Sequence, residues 1–184
     1  MAYTWFILLL AIAGTAFLLL LLQGTPLGQI VHERIPDRPQ RRLFVASVSF
    51  FLTFAGVRAA VYAIVHQIPP FHFIVVGGRH IHHLVFGIFI LLLVGYAWLD
   101  EIGTGANNSS ILLSRLMSIL YGVGAALTLD EFALWLNLKD VYWSPEGRSS
   151  VDAIILFGAL LAAGSLGFPL FRWHRKKRPS LMKN

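Results

Sequence analysis

LFVASVSFFLTFAGVRAAVYAIVH, running from Leu43 to His66, decides the fold. It carries a single charged side chain, Arg58, and it exceeds the ~20 mostly apolar residues that a helix needs to cross a bilayer. Other runs of the same kind lie on either side of it. Upstream, about Tyr3 to Leu22 reads as a retained apolar helix, without the basic start or small-residue cleavage site of a signal peptide. Between the two, Gly24 to Arg42 holds three prolines and six charges and reads as a loop. Downstream, Pro69 and Pro70 stop the helix, and further spans are expected at about His80–Leu99, Ile111–Leu138 and Ser149–Phe171. The fourth, roughly 28 residues or about 42 Å long, should protrude beyond the hydrocarbon.

Composition agrees with this reading. Of 184 residues, 57% are hydrophobic and 13% charged, and mean hydropathy is +0.69, whereas ordinary soluble domains carry about 25% charged residues. The expected class is therefore all-α, a polytopic transmembrane bundle of about five spans forming one domain over residues 1–171, followed by a basic tail over 172–184. With no cysteine in the chain, thiolate metal sites, disulfides and cysteine nucleophiles are excluded. The net charge of +6 sits beside apolar spans, which makes it a topology signal rather than a nucleic-acid surface.

With five spans, the side holding the first loop, the third loop and the tail collects Arg34, Arg38, Arg41, Arg42, Arg115 and the tail cations. The other side has Arg79, Lys139 and Arg148. The positive-inside rule then puts the N-terminus outside and the C-terminus in the cytoplasm, with the tail drawn to anionic lipid. That topology gathers the polar groups of four helix ends at the outer face: Arg58, Tyr62 and His66; His80, His82 and His83; Asp130 and Glu131; and Asp152.

Helical phase sorts these groups. Ser114, Ser118, Gly122, Ala126 and Asp130 form a small-residue stripe of the kind that lets membrane helices approach closely. His83 shares a face with Gly87, Leu91 and Gly95, and His80 lies one turn earlier, whereas His82 aligns with Phe86 and Ile90 and is the poorer candidate. Asp152 shares a face with Leu156, Ala159, Ala163 and Gly167, and with Ser149 three residues before it resembles a capping box. Arg58, deep in its span, calls for an acidic partner, and Asp130 or Glu131 is the expected one. Tyr142, Trp143 and Trp135 read as interface anchors.

Two readings of the cluster follow. In the first, His80, His83, Asp130 and Glu131 ligate a divalent metal such as zinc or iron, with Asp130 or Glu131 also the catalytic base of a membrane hydrolase acting on a membrane-embedded substrate. In the second, the same groups and Arg58 form a structural network in a non-catalytic complex subunit or small carrier, for which a protein partner or a homo-oligomer is expected. A phosphate-binding glycine loop, a serine nucleophile elbow and a c-type haem motif are all missing from the sequence.

The strings HIHHLVFGI (80–88), YGVGAALTLDEFALWL (121–136) and DVYWSPEGRSSVDA (140–153) resemble a family of small bacterial integral membrane proteins. The resemblance covers about Arg79 to Asp152. It implies a prokaryotic, multi-pass inner-membrane protein and carries over no mechanism. A remoter likeness, histidines and an aspartate near one face, is to membrane hydrolases of the alkaline ceramidase and progestin-receptor type. Those have seven spans, and in place of their second histidine cluster this chain has only His174 in the tail.

Overall fold

The computed structural model describes residues 13–15, 17–22, 25–69, 75–76, 79–139, 142 and 144–166. Most of the first expected span, the end of the fifth and the whole tail lie outside them. The described chain is all-α apart from one two-residue antiparallel pair, β1 (Val75–Val76) with β2 (Arg79–His80). Its helices are α1 (Ala13–Leu22), α2 (Pro26–Arg34), α3 (Arg38–Val65), α4 (His83–Leu99), α5 (Asn108–Asp130), the short α6 (Phe132–Asn137) and α7 (Arg148–Ser165), the last preceded by a 3-10 turn at Pro145–Gly147.

Three of these segments are long and apolar enough to cross a membrane: Arg38–Val65, Asn108–Asp130 and Pro145–Ser165. Counting α1 and α2, bent by 70° to one another, as one span raises the number to four. The apolar α4 is shorter, its 17 residues spanning about 25 Å.

The stretch Gly24–Arg42, expected to be a loop, is largely helical. Pro26 and Pro39 occupy the first two positions of α2 and α3, where the missing N–H has no intrahelical acceptor to lose and the fixed φ suits a helix start. The expected continuous helix from Ile111 to Leu138 is broken instead: α5 stops at Asp130, Glu131 leaves helical geometry at φ −105° and ψ 23°, and α6 resumes at Phe132. No proline or glycine marks the break. It coincides with the N–H of Ala133 donating to Ser150 Oγ of α7 at 2.9 Å, where a continuous helix would use the carbonyl of Leu129.

α5 is the central helix, packed between α3 and α4, and α7 packs on both α3 and α5, its Ile154 and Leu161 clustering with Phe50, Ala125 and Ala126. α3 and α5 run parallel in a fixed register, shown by contacts from Arg42 to Ser114, Ser49 to Ile119 and Arg58 to Asp130. α4 returns antiparallel, its start at His83 beside the end of α5. Every member of the α5 stripe, Ser114, Ser118, Gly122, Ala126 and Asp130, is buried. A Cβ on Gly122 would run into the α3 backbone at Ala46 and Phe50, so glycine here sets the α3–α5 separation.

The α4–α5 crossing is set in the same way. A Cβ at Gly87 would lie 2.7 Å from the Gly124 carbonyl oxygen, and one at Gly124 would lie 3.0 Å from the Gly87 oxygen. Gly95, assigned by four-residue spacing to the same stripe, meets nothing within 4 Å. Each four-residue step on an α-helix drifts by about 40°, so Gly95 has rotated about 120° from His83 and the buried face passes to Val94 and Ala97. α7 corrects the expected phase too. Ser150, Ile154, Gly158, Leu161 and Gly164 are buried, while Asp152 and Leu156 are exposed.

Candidate functional site: a buried histidine–carboxylate cluster

The break after α5 delivers two adjacent carboxylates to one place. On an unbroken helix Asp130 and Glu131 would diverge by about 100°. Because Glu131 has left the helix, both reach the start of α4. Asp130 is fully buried and Glu131 is 6% exposed.

Asp130 binds three neighbours. Arg58 Nε of α3 lies 2.6 Å from its Oδ1, while Oδ2 accepts from Tyr142 Oη at 2.7 Å and lies 3.1 Å from His83 Nε2. The Arg58 guanidinium also stacks 4.3 Å above the Tyr142 ring centroid, so one tyrosine contacts both members of the pair. The Tyr142 hydroxyl is pushed well above its ordinary range by burial and then by the negative charge of Asp130, and it therefore stays a donor. Charges inside a span are costly and generally face the protein interior, and this pair sits where α3, α5 and the loop before α7 meet.

Glu131 caps α4 from outside. His82 is the N-cap residue of α4, in extended geometry, and its side chain makes no cap hydrogen bond to the helix. Glu131 Oε2 instead accepts from the Leu84 N–H at 2.9 Å, and Oε1 lies 2.7 Å from His82 Nδ1. A carboxylate is favourable here because the first N–H groups of a helix lack intrahelical partners and carry partial positive charge. His83 lies between the two acids, its Nδ1 3.5 Å from Glu131 Oε2.

Among the expected site residues, Arg58, His83, Asp130 and Glu131 come together. The His80 side chain lies outside the described ones. His66 is not part of the cluster: it is exposed and stacks on Tyr62 with ring centroids 3.9 Å apart. His82, placed on another face by helical phase, joins the cluster because an N-cap residue is not bound by the 100° step of the helix that follows it. Ser149 does not cap α7, since its hydroxyl donates to the Glu146 carbonyl at 2.9 Å within the preceding turn.

Among the described residues, no group of three or more histidine, aspartate or glutamate side chains is arranged to hold a metal ion. Carboxylate oxygens and imidazole nitrogens point at one another instead. Sequence reasoning missed Tyr142 and His82. The available signal for Tyr142 was its nearness in sequence to Asp130, 12 residues earlier. Compared with known proteins, the chain matches no family model, no curated protein and no solved structure.

Proposed function

We propose that this chain is a non-catalytic multi-pass membrane protein, a subunit of a membrane complex or a small carrier. In this reading Arg58, His82, His83, Asp130, Glu131 and Tyr142 form a polar clasp that fixes α3, α4, α5 and the loop before α7 at one membrane face. One observation carries the reading: each oxygen of both carboxylates already has a protein partner within 3.1 Å. A metal-dependent enzyme needs an open coordination position and a reachable water, whereas a structural network needs its members to satisfy one another.

The chain belongs, in this proposal, to a bacterial inner membrane, with about five spans and the clasp at the outer face. The exposed apolar side chains of α4 and α7, such as Leu92, Leu93, Leu156 and Leu160, face lipid or a partner. The rival reading is a metal-dependent hydrolase acting on a membrane-embedded substrate. Elemental analysis of protein purified without chelator, combined with melting of His83→Ala, separates the two. The clasp predicts no stoichiometric metal and a lower melting temperature for His83→Ala. A metal ion bound to each chain and lost in His83→Ala would overturn it. The absence of native cysteine makes the orientation accessible as well. A cysteine at Glu146 should react with an impermeant thiol reagent on intact cells, and one at Arg34 only after permeabilisation.

A further inference from the structure

At the end of the bundle opposite the clasp, four guanidinium groups converge. Arg38, Arg41 and Arg42 leave the first turns of α3, Arg115 leaves α5 two turns from its start, and with Ser114 and Ser118 they line a pocket to which no carboxylate among the described residues contributes. Helix N-termini carry partial positive charge, so anions are stabilised there and cations are not. Neither α3 nor α5 has an acidic residue in its first turn. Asp37, the N-cap residue of α3, offsets part of the charge at Arg41.

The hydrogen bonds divide these arginines by role. Arg38 holds the loop before α5, its two terminal nitrogens donating to the carbonyls of Gly103, Thr104, Gly105 and Ser110. Arg42 gives Nε to Ser114 Oγ at 2.6 Å and Nη2 to the Gly103 carbonyl at 2.7 Å, leaving Nη1. Arg41 uses Nη1 on Ile35 and Pro36, and Arg115 uses Nη1 on Leu22, so both keep Nη2 without an acceptor among the described residues. Ser114, 4% exposed, accepts from Arg42, and its own proton likewise finds no acceptor among them.

We propose that this pocket binds the phosphate of an anionic phospholipid headgroup. Guanidinium groups match phosphate oxygens in charge and in planar, paired geometry. The pocket measures about 20 Å³, room for one or two water-sized atoms. A ligand therefore inserts one or two oxygens and keeps its body outside. A lipid meets that requirement, because α3 at about 42 Å exceeds the ~30 Å hydrocarbon core and its first turns stand at headgroup level. The inference rests on the membrane assignment and is independent of the clasp.

The test is melting of the full chain in neutral detergent with phosphatidic acid, phosphatidylcholine or inorganic phosphate, for wild type, Arg41→Gln, Arg115→Gln and Arg34→Gln, the last at an exposed position on α2. Phosphatidic acid should raise the wild-type melting temperature by at least about 2 °C. Arg41→Gln should reduce that rise, Arg115→Gln should abolish it and Arg34→Gln should keep it, while phosphatidylcholine leaves the melt unchanged. An equal rise with inorganic phosphate alone would reassign the pocket to a free anion and overturn the lipid source. No rise, or one undiminished in Arg41→Gln and Arg115→Gln, overturns the site. Should a variant fail to fold, native mass spectrometry of the wild type decides the matter: no retained phosphatidic acid at low salt also overturns the site.

Discussion

Arg58 Nε and Asp130 Oδ1, 72 residues apart in sequence, stand 2.6 Å from each other with the carboxylate fully buried. The pair closes the parallel packing of α3 on α5 at one end of the bundle. A charged side chain inside an apolar run has to find an opposite charge, because the alternative is an unmet charge in a low-dielectric interior.

Removing either partner should therefore be costly, and removing both less so than the sum. Asp130→Ala strands the Arg58 guanidinium and should lower stability by about 3–5 kcal/mol. Arg58→Leu leaves a buried carboxylate, which Asp130→Asn relieves. Detergent melting of Arg58→Leu, Asp130→Asn and the double variant should give a coupling energy of about 1–3 kcal/mol. Strictly additive losses would show that the two groups are neighbours without being partners.

This pair was legible in the sequence because the argument for it needs only a charge in an apolar run and an acid at the matching depth. The helices long and apolar enough to cross a membrane were legible for the same reason, in run lengths and the scarcity of charge. The break at Glu131 was not, since no glycine or proline announces it and its visible correlate is a hydrogen bond from Ala133 to a serine on another helix. The role of His82 was hidden by applying a helical wheel one residue too early, at a position that caps the helix instead of belonging to it. Pro26 and Pro39 misled in a related way: a proline that starts a helix and one that ends it look alike until the boundary is known.

Tyr142 gives a test in which two contributions of one side chain come apart. Tyr142→Phe keeps the ring under Arg58 and removes the hydroxyl from buried Asp130, which should cost about 1–3 kcal/mol for the acceptor left short of a donor. Tyr142→Leu removes the ring too and should add a further cost of about 0.5–2 kcal/mol. Equal melting temperatures for the wild type and Tyr142→Phe would mean that water or another donor replaces the hydroxyl and that Asp130 does not depend on this loop.

The α4–α5 crossing predicts opposite outcomes for one substitution at two glycines of the same helix. At Gly87 an added methyl group would meet the Gly124 carbonyl oxygen at 2.7 Å and the Thr128 nitrogen at 2.8 Å; both are backbone atoms and cannot rotate away. Gly87→Ala must therefore push α4 off α5. The cost of such overpacking is about 1–3 kcal/mol. His83 lies one turn from Gly87, so the displacement should also lengthen its 3.1 Å approach to Asp130 and weaken the clasp beyond the local strain. At Gly95 the added methyl group meets nothing within 4 Å, and replacing glycine in a helix interior by alanine removes backbone freedom from the unfolded chain. Gly95→Ala should thus match the wild type or gain about 0.5–1 kcal/mol. Melting curves of the two variants, with histidine NMR to follow the His83 environment, give the readout. A Gly87→Ala protein as stable as Gly95→Ala, with His83 unperturbed, would mean that the helices do not cross at Gly87 and Gly124.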